Sequence, residues 1–205
     1  MSSGVIPPPS RVQRNVLILA CSQALSVSTQ TMTLITSPLV GHMLLGSDKS
    51  LSTMPIFIIF GSMMVGTIPA SLLMKQIGRR AGFSLAAGLS IAGGLICAYS
   101  VFIQSFWILC LGSVLQGLFI SFAQYYRFAA ADNADPQFRP KAISLVLTGG
   151  VVAGIIGAQA AKWSFGWFAP INFMGVYVMI SIFAFLNLVI MQMLSIPNLT
   201  VEQRR

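Results

Sequence analysis

The residues equipped to do chemistry lie in the first apolar run. Between Val16 and Leu45 the chain carries Ser22, Gln23, Ser26, Ser28, Thr29, Gln30, Thr31 and Thr33. Ser22, Ser26, Thr29 and Thr33 recur at helical spacing along one face, and Gln23 and Gln30, seven residues apart, stand on an adjoining face. Hydroxyls and amides of this kind donate and accept hydrogen bonds. They are costly against lipid, so this side of the run should turn toward a bundle interior. There it either lines a water-filled cavity that offers donors and acceptors to a polar solute, or it ties helix to helix. Serine and threonine can satisfy their own backbone and suit the second role. The two glutamines suit it less well and weigh toward a cavity, with Gln116 and Gln124 of the fourth run as further wall residues.

Other chemistries find no support. Asp48, Asp132, Asp135 and Glu202 all fall in loops or the tail, so no carboxylate is expected at mid-membrane to carry a proton. There is no nucleophile with an adjoining base, no HExxH and no phosphate-binding glycine loop, so no catalytic residue and no enzyme is expected. Cys21, Cys97 and Cys110 lie inside apolar runs without CxxC spacing and read as packing residues. No metal site and no cofactor is expected. His42 sits near the outer end of the first run and reads as interfacial.

The elements that must position these residues are membrane helices. Of the 205 residues 56% are hydrophobic and 8% charged, against roughly 25% charged in a soluble domain. Six runs reach the ~20 apolar residues needed to cross a bilayer: Val16 to Leu45, Met54 to Met74, Ala81 to Ile103, Phe106 to Ala131, Ala142 to Ala161 and Ala169 to Leu194. This predicts an all-α membrane protein. Residues 1–15 form a polar segment, 16–194 a six-helix bundle and 195–205 a tail. Pro7-Pro8-Pro9 blocks a helix near the start, and the first run reads as an uncleaved signal anchor.

The charges orient the bundle. Arg11, Arg14, Lys75, Arg79, Arg80, Arg127, Arg139, Lys141, Arg204 and Arg205 fall on the side of the N-terminus, and Lys49 and Lys162 on the other, ten against two. Both termini should therefore be cytoplasmic, and the tripeptide Asn198-Leu199-Thr200 a chance match to a glycosylation signal. The net charge of +8 is explained by this topology and needs no nucleic acid. Small residues predict tight helix contacts: Gly150 and Gly154 form GxxxG with Gly157 following, and Ser84, Gly88 and Ala92 repeat every fourth residue.

Ser71 to Arg80 is a short basic turn between two apolar runs, with Lys75, Arg79 and Arg80 and no acid nearby in sequence. Gly78 stands where a tight turn needs positive φ. A positive-inside loop accounts for these charges by itself. The stretch also resembles the loop between helices two and three of major facilitator superfamily transporters, G-x-x-x-D-[RK]-x-G-[RK]-[RK]. Gly78, Arg79 and Arg80 match, while Ser71, Lys75 and Gln76 depart, Lys75 replacing an Asp of the family's gating charge network. Gln116-Gly117 resembles the end of R-x-x-Q-G, with Ser113 in place of the Arg. The segment from Tyr126 to Asp132, then Arg139 to Ser144, is similar to the helix four to five junction of bacterial members, and the glycine-rich fifth run to their fifth helix.

The resemblance runs from the first span to the sixth and implies one six-helix half of a twelve-helix fold. It implies a transporter half in a bacterial inner membrane, with Lys75, Gly78, Arg79, Arg80, Arg127 and Asp132 at the gating end. Arg127 either snorkels to headgroups or pairs with Asp132 or Asp135. The partners expected are the lipid bilayer and a second half, which could be another copy or a separate chain. A polytopic structural or assembly subunit of a larger membrane complex is the competing reading, favoured by Lys75, Ser113 and the half length. The substrate is not written in these residues.

Overall fold

The computed structural model describes residues 9–46, 49–132 and 137–194. Asp48, Asp135, Glu202, Arg204, Arg205 and the Asn198 to Thr200 tripeptide lie outside them. The described residues form seven helices and no strand: α1 (Pro9–Leu44), α2 (Met54–Ile77), α3 (Arg79–Phe102), α4 (Phe106–Ala123), α5 (Tyr126–Asp132), α6 (Arg139–Ser164) and α7 (Met174–Gln192). Helices α4 and α5 follow one another along the fourth run, so the chain is an all-α, six-span half bundle.

Among the described residues, five spans are long and apolar enough to cross a membrane by length and composition. Helix α1 is the exception because its serines, threonines and glutamines dilute its apolarity. Its 36 residues nonetheless reach about 54 Å, well beyond a hydrocarbon core of about 30 Å. It begins at Pro9, earlier than the apolar run, because a proline in the first turn needs no amide partner. The sixth helix begins at Met174 rather than Ala169. Pro170 disfavours helix at the residue before it, and Phe173 takes a left-handed φ of 69°.

Helix α1 packs chiefly on α6 and α7, α3 on α4 and α7, and α2 on α4. Backbones meet at small residues. A Cβ on Gly117 of α4 would lie 2.3 Å from the Ile59 carbonyl of α2, and one on Gly157 of α6 would lie 2.6 Å from the Ser28 carbonyl of α1. The α6 ridge that meets α1 is Gly150, Ala153 and Gly157. The expected GxxxG partner Gly154 faces open space. The Ser84, Gly88, Ala92 column also fails as a ridge, because Gly88 and Ala92 are exposed. On α3 the close contacts come from Gly93, against the Gly112 carbonyl of α4, and Gly94, against the Tyr177 carbonyl of α7. A four-residue repeat marks a column on a helix; it does not say which way the column points.

Candidate functional site

The polar face of α1 divides into two parts. Ser22, Ser26, Thr29 and Thr33 are buried inside the bundle. Thr29 Oγ1 donates to the Leu25 carbonyl at 2.9 Å and Thr33 Oγ1 to the Thr29 carbonyl at 2.8 Å, each one turn back on its own helix. Ser28 Oγ crosses to the Ala153 carbonyl of α6 at 2.9 Å. Gln23 and Gln30 are only half-buried, and no hydrogen bond among the described residues engages their amides. Two turns of one helix, about 10.5 Å, separate them along α1. Gln23 lies along the seam with α6, its side chain 3.6 Å from where a Gly150 Cβ would be.

The fourth-run glutamines differ in the same way. Gln116 is 1% exposed and clamps α4 to α3. Its Nε2 donates to the Ser90 carbonyl at 3.0 Å, and its Oε1 accepts from Ser90 Oγ at 3.2 Å. Gln124 stands half-buried at the break between α4 and α5, its amide likewise unengaged among the described residues.

That break is built from two tyrosines. Tyr125 N donates to the Phe122 carbonyl, tightening the turn to a three-residue step. Tyr125 OH donates to the Thr67 carbonyl of α2 at 3.1 Å. Tyr126 is fully buried against the Phe83 ring, centroids 4.6 Å apart, and its oxygen accepts from Asn187 Nδ2 of α7 at 3.1 Å. The same Nδ2 reaches Ser26 Oγ at 3.2 Å, so Asn187 joins α7, α5 and α1. Sequence reasoning passed over Asn187. The available signal was the lone amide in the mainly apolar stretch of α7 between Met174 and Met191, a placement costly in lipid without partners.

At the end of the bundle that carries the basic turn, Gly78 is the single residue between α2 and α3. Its φ of 88° is open to glycine and strained for other residues. Lys75 and Arg80 are exposed and Arg79 is half-buried. Although no acid neighbours these residues in sequence, the fold brings one: Arg79 forms an ion pair with Asp132 at the end of α5. Arg80 donates to Gln192 Oε1 at 3.1 Å, and Gln192 Nε2 donates to Ser84 Oγ at 3.1 Å. Asp132 is thus engaged by Arg79, while the Arg127 guanidinium lies 5.1 Å over the Phe128 ring. Lys75, Gly78, Arg79, Arg80, Arg127 and Asp132 are brought to one end of the bundle, and the Arg79–Asp132 pair links α3 to α5 there. No group of acids, histidines and cysteines able to hold a metal occurs among the described residues.

The bundle of apolar spans thus carries half-buried amides, unengaged among the described residues, on α1 and at the α4–α5 break, and an ion pair beside its basic turn. Residues 16–202 match the Major Facilitator Superfamily, and the chain belongs to that superfamily. It is therefore an integral membrane protein of a transporter family and not an enzyme. It is also similar to the riboflavin transporter RfnT of Brucella anthropi, with 37% identity over 186 residues. The match covers 91% of this chain and 46% of the relative, so the chain spans about half the length of the curated relative it matches.

Proposed function

We propose that this chain forms one wall of a solute pathway and moves a neutral, polar, flavin-like solute together with a second six-helix body. The observation that carries the reading is the set of half-buried amides of Gln23, Gln30 and Gln124, which no hydrogen bond among the described residues engages. Free amides that are neither paired nor fully in water suit a solute that presents carbonyls, ring nitrogens and hydroxyls. No acidic or basic side chain lies midway along any described span, which suits an uncharged solute and gives this wall no proton carrier. The similarity to a riboflavin transporter supports the flavin class.

The second body is required by mechanism. Alternating access rocks one bundle against another around a site between them. Helices α2 and α6 offer apolar outer faces for that contact, with Met64, Val65 and Ile68 on one and Val151, Val152 and Ile155 on the other. The excess of basic residues at the turn end supports a cytoplasmic placement of both termini, in a bacterial inner membrane. A non-transporting assembly subunit is the second reading, favoured by Lys75 where the family pattern has an acid and by the burial of Ser22, Ser26, Thr29 and Thr33 within this bundle.

The test replaces Gln23, Gln30 and Gln124 singly by alanine and measures riboflavin uptake in cells expressing the chain with its completing half. Loss of a neutral hydrogen bond of about 0.5–1.5 kcal/mol should raise KM by about 2- to 10-fold. Unchanged KM for all of these variants would remove the amides from the pathway.

A further inference from the structure

The connection between α6 and α7 does not have the make-up of an aqueous loop. From Trp163 to Leu194 the chain contains no charged residue. Trp163 is 71% exposed, and Phe165, Trp167 and Phe168 also turn outward. The rings pair edge to face, Trp163 with Trp167 at 4.9 Å and Phe165 with Phe173 at 4.7 Å. Much of the backbone turns back on itself: the amides of Trp167, Ala169, Ile171, Asn172 and Phe173 donate to carbonyls between Ser164 and Pro170. Pro170 has no amide to satisfy. A segment that closes many of its own hydrogen bonds and turns rings outward needs less water than an open loop, and the headgroup layer can serve the amides that remain.

Its place in the bundle is equally particular. The three tryptophans of the chain are Trp107, Trp163 and Trp167. Trp107, 68% exposed, is in the first turn of α4, and the other two flank the end of α6. All lie at the end of the bundle away from Lys75, Arg79 and Arg80. Lys162, adjoining Trp163, can extend its stem past the rings to reach water.

We propose that residues 163–173, with Trp107, form an interfacial anchor that seats this end of the bundle in the glycerol and headgroup layer of the bilayer. Indole rings, with an apolar body and one N–H edge, are favoured at that depth over both water and the chain interior, and the neighbouring phenyl rings add apolar surface beside them. The occupant of this surface is lipid.

The experiment uses the intrinsic tryptophan emission of the chain reconstituted in phosphatidylcholine vesicles. One vesicle set carries bromine on acyl carbons near the glycerol, another near the chain ends, and a third is unbrominated with iodide in the water. Because all the tryptophans lie at one end of the bundle, the unmutated chain gives a first reading of that end's depth. Variants keeping only Trp163 (W107F, W167F) or only Trp167 (W107F, W163F) then resolve the connection. Shallow bromine is expected to quench several-fold more than deep bromine or iodide. Dominant iodide quenching would overturn the proposal in favour of an aqueous loop. Dominant deep quenching would place the segment in hydrocarbon, and absence of quenching by any agent would show a protein surface covering it; either result overturns it.

Discussion

Two glycines three residues apart on α6 should respond oppositely to the same substitution. At Gly157 a Cβ would meet the Ser28 carbonyl oxygen at 2.6 Å and the Ser28 Cα at 2.8 Å. Ordinary contact begins near 3.4 Å, so α1 and α6 must separate by about 0.8 Å to admit the methyl group. Overpacking of this kind costs about 1–3 kcal/mol. The shift also strains the Ser28 Oγ bond to the Ala153 carbonyl, worth about 0.6 kcal/mol in a membrane protein. Against this, replacing a helical glycine by alanine gains about 0.5–1 kcal/mol. Gly157→Ala should therefore destabilise the bundle by about 1–3 kcal/mol. Gly154 has nothing within 4 Å of its would-be Cβ, so Gly154→Ala should keep the gain alone. The two variants should differ by about 2–4 kcal/mol, the clash and the strained bond taken together. Circular dichroism during titration of the detergent-solubilised chain with sodium dodecyl sulfate reads that difference as displaced unfolding midpoints. Equal shifts, or a larger loss at Gly154, would refute the assigned α1–α6 seam.

Gln116→Leu should lower stability by about 1–2 kcal/mol in the same titration, because it removes both bonds to Ser90 at nearly constant volume; a variant of unchanged stability with impaired uptake would instead return Gln116 to the cavity wall. For topology, a cysteine at Lys49 should react with an impermeant thiol reagent added outside intact cells, and one at Lys75 should be protected; the reverse pattern would overturn the cytoplasmic placement of the termini.

The spans were legible because a bilayer demands long uninterrupted apolar runs and leaves charges at their ends. Gly78 was legible too, since a one-residue turn between two helices leaves few alternatives to glycine. What sequence could not supply was direction around each helix axis. Ser22, Ser26, Thr29 and Thr33 share a face with one another, but periodicity alone could not say whether that face met cavity or neighbour. The structure turns it to neighbours and leaves Gln23 and Gln30 at the margin. Gln116 and Gln124 are alike in type and span, and only the position of Ser90 on α3 separates a clamp from an unengaged amide. The Arg79–Asp132 pair joins residues 53 apart, a contact that exists only once α3 and α5 share one end of the bundle.

The most direct measurement is riboflavin uptake into vesicles that hold either this chain alone or this chain with a second six-helix body. Saturable uptake is expected only when both are present, because one bundle has nothing to rock against. A chain that remains a monomer by mass in detergent and yet catalyses saturable uptake on its own would contradict the account.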